Sequence, residues 1–199
     1  FGRGGRSAWT AIDRMPPDAE AAPQGVRPDK FAAFKFDRDA MAALLRRAPL
    51  EDTPEAERPI DVPLPMPDGT IATFKAVEAP IMAPELQARY PQIRTYLGWK
   101  ADDRATTARF DLTPLGFHAQ IIAPGGFIYV DPYTALDRSG YYASYWLRDW
   151  RGPHWLCQVP AGEMSLPDPD PEPTDRAGPT RRTYRAAVAA TVEVTTLYG

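Results

Sequence analysis

Residues 160–180 divide the chain, because this segment is rich in proline and acid and offers almost nothing apolar to bury. From Pro167 to Pro179, five residues are proline and four are acidic. Proline removes backbone donors, and its alternation with acidic residues favours an extended, solvated chain. We therefore expect four regions in chain order: a loose N-terminal segment at 1–29, a globular domain at 30–159, a tether at 160–180 and a short C-terminal piece at 181–199.

Composition narrows the class of protein. Hydrophobic residues make up 44% of the 199 residues, which is an ordinary share for a folded domain. The 23 prolines are about twice the usual share of roughly 5%, and they favour many short elements joined by turns. A net charge of −3 gives no general attraction to phosphate backbones, so we expect no nucleic-acid partner. No run reaches the roughly 20 apolar residues that a membrane-spanning helix needs.

Hydrophobic alternation predicts an α+β fold that is mainly β, with a curved antiparallel sheet and two short helices packed against it. One helix is expected to follow Asp37 as its cap and to run through Leu45, and the other to occupy 84–90. Short connections between strands favour antiparallel neighbours. Strands are predicted at 31–36, 60–64, 71–77, 92–99, 105–112, 116–123, 127–131 and 141–150, and an isolated strand at 183–196.

Two blocks of the sequence carry a family resemblance. Residues 78–121 read EAPIMAPELQARYPQIRTYLGWKADDRATTARFDLTPLGFHAQI. They resemble the N-terminal pro-region of bacterial secreted reprolysin-like (adamalysin-type) zinc metalloproteases, where ESPIM precedes ATxRxDxTPxGFHA. Residues 181–199 read RRTYRAAVAATVEVTTLYG and resemble the first strand of the protease domain in that family, TYRLAVAATGEYT, with Val192 in the place of the glycine.

The resemblance implies a pro-region followed by the first strand of a truncated protease domain. Such a pro-region assists folding of the protease, inhibits its active site and is processed at the tether. Its partner would be the metalloprotease domain, in the same precursor or cleaved and associated, and that domain would hold the zinc. The resemblance also implies a secreted, extracellular or cell-surface bacterial location. A first residue of Phe1 in place of Met would accord with removal of an upstream segment.

The chain as given is not expected to be an enzyme, and no cofactor is expected within it. The peptidase motif HExxH needs two zinc-binding imidazoles on one helical face. The only histidines are His118 and His154, and neither has that spacing. We expect His118 to be a structural histidine in a strand.

Cys157 is the only cysteine, so no internal disulfide can form. Resemblance to the wider adamalysin class suggests that its thiolate is a switch ligand for the zinc of the partner domain. The alternative is a small buried hydrophobe, since free cysteine is among the most buried residue types.

Three arginines are candidate processing sites in or next to the tether. Arg176, Arg181 and Arg182 lie in an extended, exposed context that suits trypsin-like cleavage. The alternative is that these are solvated arginines before a strand.

The densest aromatic stretch begins at Tyr141 and continues through Tyr142 to Trp155. Alternate residues of a strand face opposite sides, so one set can fill the core and the other set is either available to a partner or exposed in the ordinary way. The predicted partner contacts are Tyr145, Trp146, Trp150, His154 and Trp155. This stretch also supports a rival function, a β-rich binding or structural module of a surface assembly that uses its aromatics and its C-terminal strand.

The aspartates in the second half of the globular region invite a calcium interpretation. The run from Asp102 lacks the oxygen spacing and glycine of a calcium loop. We expect Asp102, Asp103, Asp111 and Asp131 to be turn-capping carboxylates. Glu78 and Asp111 could form a pair of acids, but no pattern in the sequence brings them together.

Overall fold

The computed structural model describes residues 7–23, 25–135, 139–150 and 152. All of them lie in one unit, Phe1–Trp155. The tether expected at 160–180 and the C-terminal piece at 181–199, with the strand expected at 183–196, lie outside the described residues. Within the described part of the chain, no helix is both long and apolar enough to span a membrane.

The described residues form nine strands and three short α-helices. The strands are β1 (Trp9–Ile12), β2 (Ala32–Phe36), β3 (Ile60–Pro65), β4 (Ile71–Glu78), β5 (Arg94–Lys100), β6 (Asp103–Thr113), β7 (Gly116–Ala123), β8 (Gly126–Pro132) and β9 (Tyr141–Trp146). The helices are α1 (Pro17–Ala21), α2 (Arg38–Leu45) and α3 (Pro84–Arg89), and short 3-10 turns occupy Pro54–Glu57 and Leu147–Asp149.

The nine strands form one sheet in the order β1-β2-β9-β8-β7-β6-β5-β4-β3, and all neighbours are antiparallel. From β3 to β9 the chain is a plain meander. β2 and β1 then extend the sheet beyond β9. The sheet curls into a half-barrel, which confirms the predicted mainly β fold with a curved antiparallel sheet.

Local signals explain two of the elements. Asp37 caps α2, since its Oδ1 accepts a hydrogen bond from Ala40 N at 2.9 Å, and such a cap contributes about 1 kcal/mol. The β3–β4 hairpin turns at Asp68, whose Oδ1 accepts from Thr70 N at 3.0 Å, and at Gly69, whose φ of 85° suits glycine. The first feature agrees with the predicted cap, and the second lies between the strands predicted at 60–64 and 71–77.

The inner face of the half-barrel carries an aromatic core centred on Trp9. The Trp9 ring lies 4.3 Å from Phe36, 5.3 Å from Phe117 and 5.2 Å from Tyr142, measured between ring centroids. Trp9 is 2% exposed. Aromatic pairs of this kind add about 0.5–1.5 kcal/mol each beyond the area that they bury.

A second, smaller core lies on the outer face of the sheet, where residues 12–31 pack against β2, β8 and β9. Met15 and Ala19 are buried against Ala143 and Tyr145. The expectation of a loose segment at 1–29 is therefore wrong for the described residues of that range. Its elements are too short to leave a periodic pattern in the sequence, and tertiary packing orders them instead.

The two rims of the half-barrel are β1 and β3, and some of their backbone groups are bonded to other parts of the chain. Trp9 Nε1 donates to Pro63 O at 3.1 Å, and Ser144 Oγ donates to Pro65 O at 2.9 Å. Ser7 Oγ donates to Trp9 O at 2.7 Å and accepts from Trp9 N at 3.4 Å. The two prolines of β3 have no N–H to offer, so neither rim is a ready template for another strand at these positions.

Candidate functional site

The β6–β7 hairpin sorts its residues strictly by face. Phe110 and Phe117 point into the inner core. The residues that alternate with them along each strand point to the outer face, and there the hairpin presents Arg109, Asp111 and His118. The outer face thus carries a cluster of polar side chains, on the side of the sheet opposite the aromatic core.

Asp111 and His118 are cross-strand partners on this face. His118 Nδ1 lies 3.5 Å from Asp111 Oδ1, which is an ion-pair distance. Asp111 Oδ1 is itself buried, and none of the described residues donates a hydrogen bond to it. A buried carboxylate oxygen without a donor costs free energy, and a donor supplied from outside would recover it.

Asp131 on β8 completes the acidic part of the outer face. The Tyr145 hydroxyl donates a hydrogen bond to Asp131 Oδ2 at 2.8 Å. Removal of the Asp131 carboxylate from water raises its pKa, and Asp111 adds to the rise, while the Tyr145 hydrogen bond and His118 oppose it. Burial, followed by the Asp131 charge, raises the pKa of Tyr145, so its hydroxyl keeps its proton.

The neighbouring strand pair adds two neutral polar groups. Gln120 on β7 donates through Nε2 to Tyr129 Oη at 2.7 Å. These residues are cross-strand partners, and the Tyr129 ring stacks on Tyr145 with centroids 6.0 Å apart. Tyr129 therefore contacts both Gln120 in the polar cluster and Tyr145 in the second core.

These side chains line an open depression of about 460 Å³, which we call the outer-face cavity. Its volume falls in the range of small-ligand sites. The ring of Tyr96, which borders the cavity through the sheet, lies in the inner core, and burial raises its pKa to about 12, so this hydroxyl stays neutral. The lining residues are Ile81, Thr95, Tyr96, Arg109, Phe110, Asp111, His118, Ala119, Gln120, Tyr129 and Asp131.

The loop that follows β4 is fixed beside the cavity. Ala79 N donates to Thr95 O at 2.9 Å, and Thr95 Oγ1 donates to Ala79 O at 2.7 Å. Glu78, just before the loop, holds Arg94 by a bidentate pair through both carboxylate oxygens. The loop carries Ile81, which is 75% exposed, to the mouth of the cavity.

The predicted partner contacts divide between the described and undescribed parts of the chain. Tyr145 is 3% exposed within the second core, so its predicted role as a partner contact is wrong. Trp146 packs partly buried against the inner core and beneath Arg148, whose guanidinium lies 4.4 Å from the ring centre. Trp150 is 39% exposed and agrees with an accessible aromatic. His154 and Trp155 lie outside the described residues.

The remaining predicted site residues also lie outside the described residues. They are the switch candidate Cys157 and the processing candidates Arg176, Arg181 and Arg182.

The four aspartates do not share one role. Asp103 caps a turn as expected, with Oδ1 accepting from Ala105 N at 3.0 Å and Oδ2 from Thr106 Oγ1 at 2.6 Å. Asp102 lies 3.2 Å from Lys100 in an exposed ion pair. Asp111 and Asp131 are strand residues of the outer-face cavity, so the turn-capping expectation is wrong for them.

Sequence reasoning missed the association of Asp111, His118 and Asp131. The alternation in ARFDLTPLGFHAQ is the signal that could have found it, because it sets Asp111 and His118 opposite the buried phenylalanines. Their juxtaposition also depends on strand register, which the hairpin turn decides.

The described residues hold no group of three or more His, Cys, Asp or Glu side chains that could bind a metal ion. Comparisons of the chain with protein-family models, with curated proteins and with solved structures find no match.

Proposed function

We propose that this chain is the pro-region of a secreted bacterial zinc metallopeptidase, with the first strand of the peptidase domain at its C-terminal end. The half-barrel assists folding of the peptidase and covers its active site until the tether is cut. The parent protein is then the enzyme, and the zinc belongs to the peptidase domain.

One observation carries the proposal. The stretch that resembles the pro-region family, residues 78–121, runs from the end of β4 to β7 and supplies most of the lining of the outer-face cavity, including Ile81, Arg109, Asp111 and His118. Polar residues that only stabilise their own strands do not need to line a common cavity. A shared recognition surface requires that convergence, and this supports a binding role for the stretch.

The physical action of such a domain is linkage. A domain that binds the folded peptidase and not the unfolded chain stabilises it by mass action, by about 2.7 kcal/mol when its effective concentration is 100 times Kd. A tether of about twenty residues keeps that effective concentration high. Cleavage at Arg176, Arg181 or Arg182 removes this advantage and lets the half-barrel dissociate.

In this proposal Cys157 is a ligand to the zinc of the peptidase. A thiolate in the open coordination position would exclude the catalytic water. It would also make inhibition depend on pH, because zinc binds the deprotonated thiol.

The class of partner is tested by intact mass and zinc analysis of the native protein purified from its source. We expect a metallopeptidase domain with about one zinc ion, the usual content of a peptidase active site, bound to the half-barrel or continuous with it. The purified 199-residue chain should then inhibit the separated mature peptidase when added back. Native material that contains no metallopeptidase, or a mature peptidase that the added chain does not inhibit, would overturn the proposal.

Two residue-level tests accompany this experiment. Cys157→Ser should weaken inhibition while the circular dichroism of the chain stays the same, and unchanged inhibition would remove the thiol from the mechanism.

N-terminal sequencing of the mature peptidase should place the new terminus after Arg176, Arg181 or Arg182. A fully active preparation of uncut chain would exclude processing at these sites.

The rival function, a surface module that binds through its aromatic stretch, has less support. It requires a continuous exposed aromatic face, and Tyr142 and Tyr145 are both buried. Trp150 is the exposed aromatic among the described residues of that stretch.

A further inference from the structure

We propose that the outer-face cavity binds a basic side chain, an arginine or a lysine, of the peptidase domain that the half-barrel covers. This inference rests on the proposed function and identifies the chemical group by which the two bodies recognise each other. It gives the half-barrel a specific contact on its outer face, separate from any contact of Cys157 with zinc.

The polar groups at the cavity favour a cation. Asp111 Oδ1 is buried and accepts no hydrogen bond from the described residues, with His118 Nδ1 at an ion-pair distance of 3.5 Å, and Asp131 adds a second carboxylate whose Oδ2 already accepts from Tyr145. A guanidinium or ammonium group supplies the missing donors, and charge-assisted hydrogen bonds to carboxylates are stronger than neutral ones. An anionic ligand would meet repulsion from the same two carboxylates.

The walls suit the hydrocarbon part of a basic side chain. Tyr129, whose ring packs on the outer face, lines the cavity, and Ile81 stands at its mouth. Lysine and arginine bury their methylene stems against apolar surface while their charged ends seek polar partners. Apolar surface beside two carboxylates therefore matches this class of side chain.

Other charged side chains also lie at or near the cavity. Arg109 lines it and is exposed, so it competes with an incoming cation for the carboxylates. His118 lies at 3.5 Å from Asp111. Glu78 and Arg94 are held by each other in their bidentate pair. A divalent metal ion is a poorer candidate, because the described residues contain no three-ligand group.

The experiment uses the full 199-residue chain and a small probe, N-acetyl-arginine amide, followed by two-dimensional NMR of the backbone amides. The uncharged isostere N-acetyl-citrulline amide serves as the matched probe. We expect the arginine probe to shift amides at 81, 109–111, 118–120 and 129–131, and the citrulline probe to leave them unchanged.

Variants assign the effect to named groups. Asp111→Asn should weaken the arginine probe about tenfold, the equivalent of about 1.4 kcal/mol. Arg109→Gln should tighten binding about twofold, because it removes a competing like charge. The control is Asp61→Asn, which removes an exposed carboxylate on β3 away from the cavity and should leave probe binding as it was. The dispersion of each NMR spectrum reports whether the variant is folded.

The outcomes separate this inference from the proposed function. If neither probe binds, or both bind equally, or Asp111→Asn binds arginine as well as the parent chain does, the cavity does not recognise a basic side chain. Inhibition of the peptidase by the full chain would still support the pro-region in that case. If the arginine probe binds and no peptidase is inhibited, the cavity assignment stands and the pro-region proposal fails.

Discussion

Trp9 and Pro63 lie on opposite rims of the sheet, and the indole Nε1 of Trp9 donates a hydrogen bond to the carbonyl oxygen of Pro63 at 3.1 Å. This hydrogen bond joins β1 to β3 across the open side of the half-barrel. Because Trp9 also stands at the centre of the aromatic core, the closure of the rims and the packing of the interior depend on the same side chain.

Trp9→Phe tests this coupling. The substitution keeps an aromatic ring but removes the donor and leaves a small void, and we expect a loss of about 2 kcal/mol in the free energy of unfolding, measured by urea denaturation. The matched control is Trp99→Phe, since Trp99 is only partly buried and contacts Arg104 at 5.4 Å. The control should cost about 0.5 kcal/mol or less. Equal losses for the two variants would contradict the role of the rim contact.

The two ion pairs of β4 should differ in their contribution to stability. The Glu78–Arg94 pair is bidentate and its carboxylate is 15% exposed, whereas Asp61–Lys75 is a surface pair with both partners more than a third exposed. We expect Glu78→Gln to cost about 1–2 kcal/mol, discounted from a fully buried pair because Arg94 is partly solvated. Asp61→Asn should cost about 0.5 kcal/mol or less.

Urea denaturation of both variants at low and high salt checks this difference. The loss in Glu78→Gln should persist in high salt, because a partly buried pair is screened less than an exposed one. A Glu78→Gln loss that vanishes in salt would show that the pair behaves as a surface contact.

Asp131 should make the stability of the half-barrel depend on pH. Burial raises the pKa of its carboxyl above the unfolded value, so the folded state binds a proton that the unfolded state has released. The free energy of unfolding should therefore fall as pH rises from the unfolded pKa of Asp131 through its higher folded pKa. Asp131→Asn removes the cost of burying this charge at neutral pH. The difference in the free energy of unfolding between the variant and the parent should therefore become smaller in acid, as measured by urea denaturation across that range.

Tyr145→Phe gives the complementary measurement. The Tyr145 hydrogen bond is one of the effects that lower the pKa of Asp131, so its loss should raise that pKa further. Carbon-13 NMR of the Asp131 carboxyl can follow the titration. A pKa that falls in Tyr145→Phe would contradict the assigned hydrogen bond.

Gly25→Ala should loosen the N-terminal segment from the outer face. A Cβ atom at Gly25 would lie 2.6 Å from Pro132 O, and the neighbouring bond from Gly25 N to Tyr133 O measures 3.1 Å. Because the obstacle is backbone, the segment has to shift. We expect limited proteolysis to cut within residues 12–31 faster than in the parent chain, while Lys30→Ala, an exposed substitution in the same segment, should leave the rate unchanged.

Much of the fold could be predicted because its signals are local. Asp37 before an apolar helix and Asp68–Gly69 between alternating strands act over a few residues. The placement of β1 and β2 beside β9 is decided by contacts between residues far apart in sequence, such as Phe34 with Tyr142. No local pattern encodes that choice, which explains why the N-terminal strand was not expected.

The candidate site divides in the same way. Alternation could place Asp111 and His118 on one face, but the addition of Asp131 requires the register of a third strand. The burial of Tyr145 depends on Met15 and Ala19, which lie more than a hundred residues earlier in the chain. A strand alone shows which residues share a face and does not show which face is covered.

The occupied rims have a consequence for concentrated solutions of this protein. Self-assembly into cross-β polymers needs a free row of donors and acceptors to recruit the next copy. Pro63 and Pro65 withhold donors, and Ser7 engages both backbone groups of Trp9. Copies of the half-barrel can therefore crowd together without templating one another at these positions.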